Sequence, residues 1–120
     1  MKRILAHLIR GEAQSAHEAI TKDLAERFGT FPLHDRIAPH LTLKRWFELS
    51  DEGMKGLYTV LDDFADLHTQ TAYRLKGFGH FGEDVIYVDV GPSKETSSAV
   101  RELMAVLHGI EGMTFDEYDN

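Results

Sequence analysis

The alternation of apolar and polar positions divides the chain into short strand-like runs and longer helix-like stretches. The first apolar run, Arg3 to Ile9, is closed by Gly11 and predicts a strand that is buried on both faces. From Ser15 to Phe28 the apolar residues recur at helical spacing, with Ser15 placed to cap the start and Gly29 placed to end it. This spacing predicts the first helix.

The segment that follows is interrupted by Pro32 and Pro39, which hold the residues before them in extended or turn conformations. We predict that it leads directly into a second strand, His40 to Phe47. A second helix is predicted to begin at Ser50, and it has the clearest apolar stripe in the chain. The stripe consists of Met54, Leu57, Tyr58, Leu61, Phe64 and Ala65.

The second half of the chain contains two further strand-like runs, Thr71 to Leu75 and Val85 to Val90. The glycine-rich segment Gly77 to Gly82 joins them, which favours a hairpin. A third helix then ends at Gly109, with apolar positions Val100, Leu103, Met104 and Leu107. The order β-α-β-α-β-β-α predicts an α+β fold in which helices pack on an antiparallel-rich sheet.

Composition narrows the classes of function. A chain of 120 residues is predicted to form a single domain over residues 1–120. Its net charge of -7 disfavours duplex DNA as a partner but leaves room for a local basic site. The absence of cysteine excludes thiolate catalysis and disulfides, and no apolar run has the length of a membrane span. We therefore expect a cytoplasmic protein without a membrane partner.

The candidate chemistry lies on the second strand. Because side chains alternate along a strand, His40, Thr42, Lys44 and Trp46 are predicted to share one face. An imidazole can take a proton from water or give one to a leaving oxygen, and a threonine two residues away can hydrogen-bond a phosphoryl oxygen. On that face Lys44 would add positive charge and Trp46 would offer a ring to a ligand. The group is suited to phosphodiester chemistry without a metal.

Plainer interpretations of the same residues stay open. A His-x-Thr pattern fixes only two residues and occurs by chance in unrelated strands. The chain could be a non-catalytic module that binds a nucleotide or RNA. It could also be a ferredoxin-like interaction domain in which His40 and Thr42 bond only each other or the backbone.

Other polar residues are assigned structural roles. His7 lies mid-strand among apolar neighbours, so we expect a hydrogen-bonded core histidine. His34 and Asp35 match no standard pattern of metal ligands, and neither a metal nor another cofactor is predicted. The acidic stretch Asp116 to Asp119 is interpreted as a solvated tail.

The segment Pro39 to Lys44, which follows a strand and a helix, and the later glycine-aromatic segment Leu75 to Phe81 together resemble a known family. They are similar to the two-histidine phosphoesterase superfamily, the group of 2'-5' RNA ligases and cyclic phosphodiesterases. The resemblance implies a bilobal fold, of which this chain would hold the first lobe and part of the second. It implies a small nucleotide or an RNA end as substrate, His40 as acid or base, and Thr42 as a phosphate ligand.

The sequence departs from that family at one point. Members carry two His-x-Thr motifs, whereas the other six histidines here stand in no second His-x-Thr or His-x-Ser. We expect the second motif to lie beyond Asn120 or to come from a partner subunit. On this basis we predict a 2',3'-cyclic phosphodiesterase or 2'-5' RNA ligase-like enzyme once the second histidine is supplied. Lys44, Trp46 and Phe81 are the expected substrate-binding residues, and the oligomeric state stays open.

Overall fold

The elements of this computed structural model, which describes residues 1–119, follow in the order strand, helix, helix, strand, helix, strand, strand, helix. The predicted α+β fold with antiparallel strands is therefore confirmed, with one added short helix in the proline-containing connector. The chain forms two compact units. We call Lys2–Phe47 with Asp119 the motif unit, and Glu48–Tyr118 with Met1 the hairpin unit. The prediction of a single domain stays a prediction.

The motif unit contains β1 (Arg3–Leu8), α1 (Gly11–Phe28), α2 (Leu33–Arg36) and β2 (His40–Phe47). Within the described residues β1 and β2 pair antiparallel as a two-stranded sheet. Every residue of β1 is exposed or half-buried, so the prediction of burial on both faces is wrong. An apolar run shows that a strand can be buried, but only neighbouring elements on both faces bury it.

Helix α1 begins at Gly11, four residues before the predicted cap Ser15, so that prediction is wrong. It ends as predicted: Gly29 has the left-handed φ of 65°, and its N–H donates to the carbonyl of Ala25. Thr21 is the buried residue of the helix, whereas Phe28, which we placed on the apolar face, is 71% exposed. Four of the apolar positions in this helix are alanines, which offer little area to fix its rotation.

Strand β2 is regular at its start and irregular afterwards. Leu8 pairs with His40 and Ala6 pairs with Thr42, but Leu5 pairs with Lys44, so the register shifts after Thr42. A second shift follows before the pair formed by Arg3 and Phe47. Each shift inserts an extra residue into β2, as in a β-bulge, and an extra residue reverses the alternation of side chains.

The hairpin unit contains α3 (Asp51–Leu67), β3 (Tyr73–Phe81), β4 (Val85–Pro92) and α4 (Lys94–Leu107). Both long helices begin at a serine cap. Ser50 accepts a hydrogen bond from the N–H of Gly53, and Ser93 accepts one from the N–H of Thr96, each at 3.1 Å. The core of this unit consists of Leu57, Leu103, Met104, Leu107 and Ile110.

The predicted hairpin of β3 and β4 is confirmed, but its glycine-rich segment belongs to strand β3 rather than to the connection. The register shifts by one residue between Leu75 and Phe78. Gly77, which lies at this shift, has a φ of 66°, a left-handed value that side chains disfavour. The glycine therefore permits a bulge in β3, and the turn follows Phe81.

Candidate active site

The start of β2 is held at a fixed position beside the end of β1. Pro39 is buried, and its carbonyl accepts a hydrogen bond of 3.0 Å from the N–H of Ile9. His40 then forms a register pair with Leu8. Since the proline ring also fixes φ, little backbone freedom is left at the residue before His40. These contacts fix the backbone position from which the His40 side chain extends.

The imidazole of His40 is exposed and its orientation is set by one hydrogen bond. Its Nδ1 lies 2.9 Å from the carbonyl oxygen of Ala38. A carbonyl oxygen can only accept, so Nδ1 carries the proton of that bond. In the neutral ring Nε2 then has the lone pair, because one ring nitrogen donates and the other accepts. The backbone thereby selects the tautomer that can act as a base through Nε2.

Thr42 lies on the same strand face as His40. No register shift separates their pairs with β1, so strand alternation holds between them, and both side chains are exposed. For these two residues the predicted face is confirmed. Their arrangement combines a proton-transfer group with a hydroxyl that can donate a hydrogen bond.

Lys44 does not share that exposed position, and here the parity prediction is wrong. Its side chain is 0% exposed, and its Nζ lies 2.8 Å from Oδ2 of Asp119 and 3.1 Å from the carbonyl oxygen of Arg45. The ring of Phe47 lies 5.8 Å from the same ammonium. The shift in register after Thr42 gives the physical reason, because strict alternation stops there.

Asp119 is the residue of this region that sequence reasoning missed. Its side chain is 2% exposed, so it is not part of a solvated tail as predicted. Besides the Lys44 ammonium, its carboxylate binds the N–H of Arg45 through Oδ1 at 3.1 Å. Lys44 and Asp119 are 75 positions apart, and no periodicity connects them. One acidic side chain therefore satisfies both a buried cation and a backbone donor of β2.

The remaining predicted site residues are exposed. Trp46 is 59% exposed, but it lies in the irregular part of β2, where parity does not assign its face. Phe81, in the hairpin unit, is 66% exposed and stacks on Tyr87 with ring centroids 4.7 Å apart. His7 is exposed, so its assignment to the core is wrong.

A histidine with a shifted pKa lies in the hairpin unit. His68, which follows α3, donates from Nε2 to the carboxylate of Glu102 on α4 and from Nδ1 to the carbonyl of Phe64. The Glu102 hydrogen bond, followed by the Phe64 carbonyl, raises the pKa of His68 above its usual value of 6.5. Its ring also stacks on that of Phe64 at 3.8 Å. This pair links two helices of the hairpin unit.

A cavity of about 560 Å³ in the hairpin unit is poorly suited to an anionic substrate. Its lining includes the carboxylates of Glu48, Glu52 and Glu111, which would repel a phosphate. Residues 1–119 contain no cluster of three histidine or acidic side chains that could hold a metal ion. Within the same residues no helix combines the length and apolarity needed to cross a membrane.

Comparison with protein families places these observations in a class. The model described as the 2'-5' RNA ligase superfamily matches residues 10–114, a range that includes His40, Thr42 and Phe81. The chain belongs to this superfamily, and the resemblance to the two-histidine phosphoesterases is confirmed. At the level of reaction class, membership supports a phosphoesterase of the 2'-5' RNA ligase type. No curated protein and no solved structure matches the chain.

Proposed function

We propose that this protein is a phosphoesterase that acts on 2',3'-cyclic nucleotide phosphates or RNA ends, with His40 as acid or base and Thr42 as phosphate ligand. The observation that carries the proposal is the hydrogen bond from His40 Nδ1 to the carbonyl of Ala38. It gives an exposed imidazole whose Nε2 is available for proton transfer. Superfamily membership supports the reaction class.

In hydrolysis of a cyclic phosphate, Nε2 of His40 takes a proton from water while the water oxygen bonds to phosphorus. The bond between phosphorus and one ribose oxygen breaks, and that oxygen needs a proton from a second donor. The hydroxyl of Thr42 donates a hydrogen bond to a phosphoryl oxygen as negative charge develops. The family resemblance assigns the second proton to the histidine of another His-x-Thr motif. In the reverse role His40 would supply that proton itself.

The other proposed substrate contacts differ in what supports them. Trp46 and Phe81 have exposed rings that can stack on a base. The buried ammonium of Lys44 is paired with Asp119. Lys44 is therefore better suited to holding β2 in place than to binding substrate. We therefore assign phosphate binding to Thr42 first.

The test is hydrolysis of nucleoside 2',3'-cyclic phosphates by the purified protein, with and without a chelator. We expect His40→Gln to lower kcat/KM roughly 10²- to 10⁴-fold, the usual contribution of a general acid or base. The matched control His17→Gln changes a histidine of α1 outside the motif. Activity that survives His40→Gln unchanged contradicts the proposal. Saturable binding of the cyclic phosphate without turnover would instead identify a binding module.

A further inference from the structure

One face of the β3–β4 hairpin combines aromatic rings with positive charge. Residues directly opposite each other in an antiparallel pair share a face, and here Gly79 faces Tyr87 while Arg74 faces Gly91. β4 has no register shift between Tyr87 and Gly91, so these two residues alternate onto the same side. Arg74 and Tyr87 therefore lie on one face of the hairpin.

Lys76 lies on that face as well. A Cβ placed on Gly91 would meet the Lys76 side chain, with Cε at 3.1 Å and Nζ at 3.5 Å. The lysine thus extends across the glycine beside Arg74. Both cations line a cavity of about 330 Å³. Among residues 1–119, neither cation forms an ion pair with a carboxylate.

The aromatic part of the face is built over a second glycine. A Cβ on Gly79 would lie 2.3 Å from Tyr87 Cζ, so the tyrosine ring occupies the space above the glycine. The same ring stacks on Phe81. Tyr87 and Phe81 are 37% and 66% exposed, although they are large aromatic residues in contact with each other. We call Arg74, Lys76, Tyr87 and Phe81 the aromatic–basic face.

We propose that the aromatic–basic face binds single-stranded RNA, with its rings stacking on bases and its two cations binding phosphates. Exposed aromatic rings on a sheet and nearby cations are the groups that recognise unpaired nucleotides. Tyr87 and Gly91 are four residues apart, or about 13 Å along the strand, a span that calls for more than one nucleotide. Two cations concentrated here also provide local attraction in a chain whose net charge is -7.

The experiment measures binding of a labelled RNA of about twelve nucleotides by fluorescence anisotropy, within the usual range of single-strand site sizes. All measurements use the His40→Gln background, so that hydrolysis does not enter. We expect Tyr87→Leu to weaken binding roughly five- to a hundredfold, as for loss of one stacking ring. Tyr87→Phe, which keeps the ring, should retain binding. The exposed tyrosine of α3 gives the matched control Tyr58→Leu.

The charged half of the face has its own test. Two phosphate contacts predict a slope of about -1.4 for log K against log salt, and Arg74→Gln should reduce it by about 0.7. Lys76→Gln should do the same, whereas the exposed Lys55→Gln and Arg101→Gln should not. Asp89 also lies on this face of β4. The variant Asp89→Asn should bind RNA more tightly, because it removes a negative charge beside the phosphates.

RNA binding that is unaffected by Tyr87→Leu overturns the proposal. Heparin that binds with the same dependence on these variants also overturns it, because the face would then attract polyanions in general. Failure of the His40→Gln protein, with an otherwise unchanged sequence, to bind the RNA also overturns it. Loss of RNA binding in Tyr87→Leu and not in folded Tyr87→Phe supports it. Because turnover is not measured, these outcomes are independent of whether His40 is catalytic.

Discussion

The ammonium of Lys44 and the carboxylate of Asp119 form a buried ion pair, with Nζ 2.8 Å from Oδ2 and side chains 0% and 2% exposed. The second carboxylate oxygen binds the N–H of Arg45. Asp119 therefore fixes both a side chain and the backbone of β2, two residues after Thr42. We infer that the pair stabilises the irregular part of the strand that carries the motif.

Breaking this pair from one side should be costly, because it leaves the other charge buried. We expect Asp119→Ala to lower the free energy of unfolding by about 3–5 kcal/mol. Urea unfolding of Asp119→Ala, Lys44→Met and the double variant checks this, and the double variant should cost less than the sum of the two. Asp23→Ala breaks the exposed pair with Arg27 and should change stability by less than about 1 kcal/mol. Additive effects at residues 44 and 119 would contradict the coupling.

Thr42 should act through its hydroxyl if the proposed function is correct. Thr42→Val keeps the shape of the side chain and removes the donor, so we expect kcat to fall on the order of a hundredfold or more with little change in KM. Thr42→Ser keeps the donor and should recover most of the activity. Thr30→Val, at an exposed site of the same unit, serves as the control. A rise in KM alone would indicate ground-state binding instead.

The His68–Glu102 contact should make stability depend on pH. The pKa of His68 is raised in the folded protein, so its contribution is fully present below the unfolded value of 6.5 and is lost as pH rises through the folded value. We expect the difference in unfolding free energy between wild type and His68→Gln to shrink over that rise. Glu102→Gln should remove most of the same pH dependence. A difference that does not vary with pH would contradict a raised pKa of His68 in the folded protein.

Gly79 is predicted to be required by the ring of Tyr87. A methyl group at residue 79 would lie 2.3 Å from that ring, so Gly79→Ala should displace the ring and cost about 1–3 kcal/mol. The matched change Gly56→Ala adds a methyl group in helix α3 with no atom within 4 Å and should stabilise by about 0.5–1 kcal/mol. Near-ultraviolet circular dichroism reports the tyrosine environment, and urea unfolding reports stability. An unchanged tyrosine signal in Gly79→Ala would contradict this contact.

The order of elements could be predicted from the sequence because it depends on local patterns. The apolar stripes of α3 and α4 lie within each helix, Ser50 directly precedes α3, and the two strands flanking Gly82 are close in the chain. Helix α1 shows where this fails. Its alanine-rich stripe could not define the buried side, and the observed face includes Thr21 instead.

The candidate site likewise has features that local sequence patterns predicted and features that they did not. The shared face of His40 and Thr42 follows from strand alternation over two residues, and the sequence alone determined it. The tautomer of His40 required the position of the Ala38 carbonyl, which is a matter of backbone conformation. The sequence alone also identified the superfamily, because the family model matches the order of its segments over residues 10–114.

The burial of Lys44 and its ion pair were determined only by the tertiary structure. The register shift between Thr42 and Lys44 broke the alternation on which its predicted exposure depended. A carboxylate 75 positions later then neutralised it. Local patterns carry no information about such a contact, because a buried charge is stabilised by whatever partner the folded chain brings to it. The sequence determined the exposed motif, whereas tertiary structure determined the buried pair beside it.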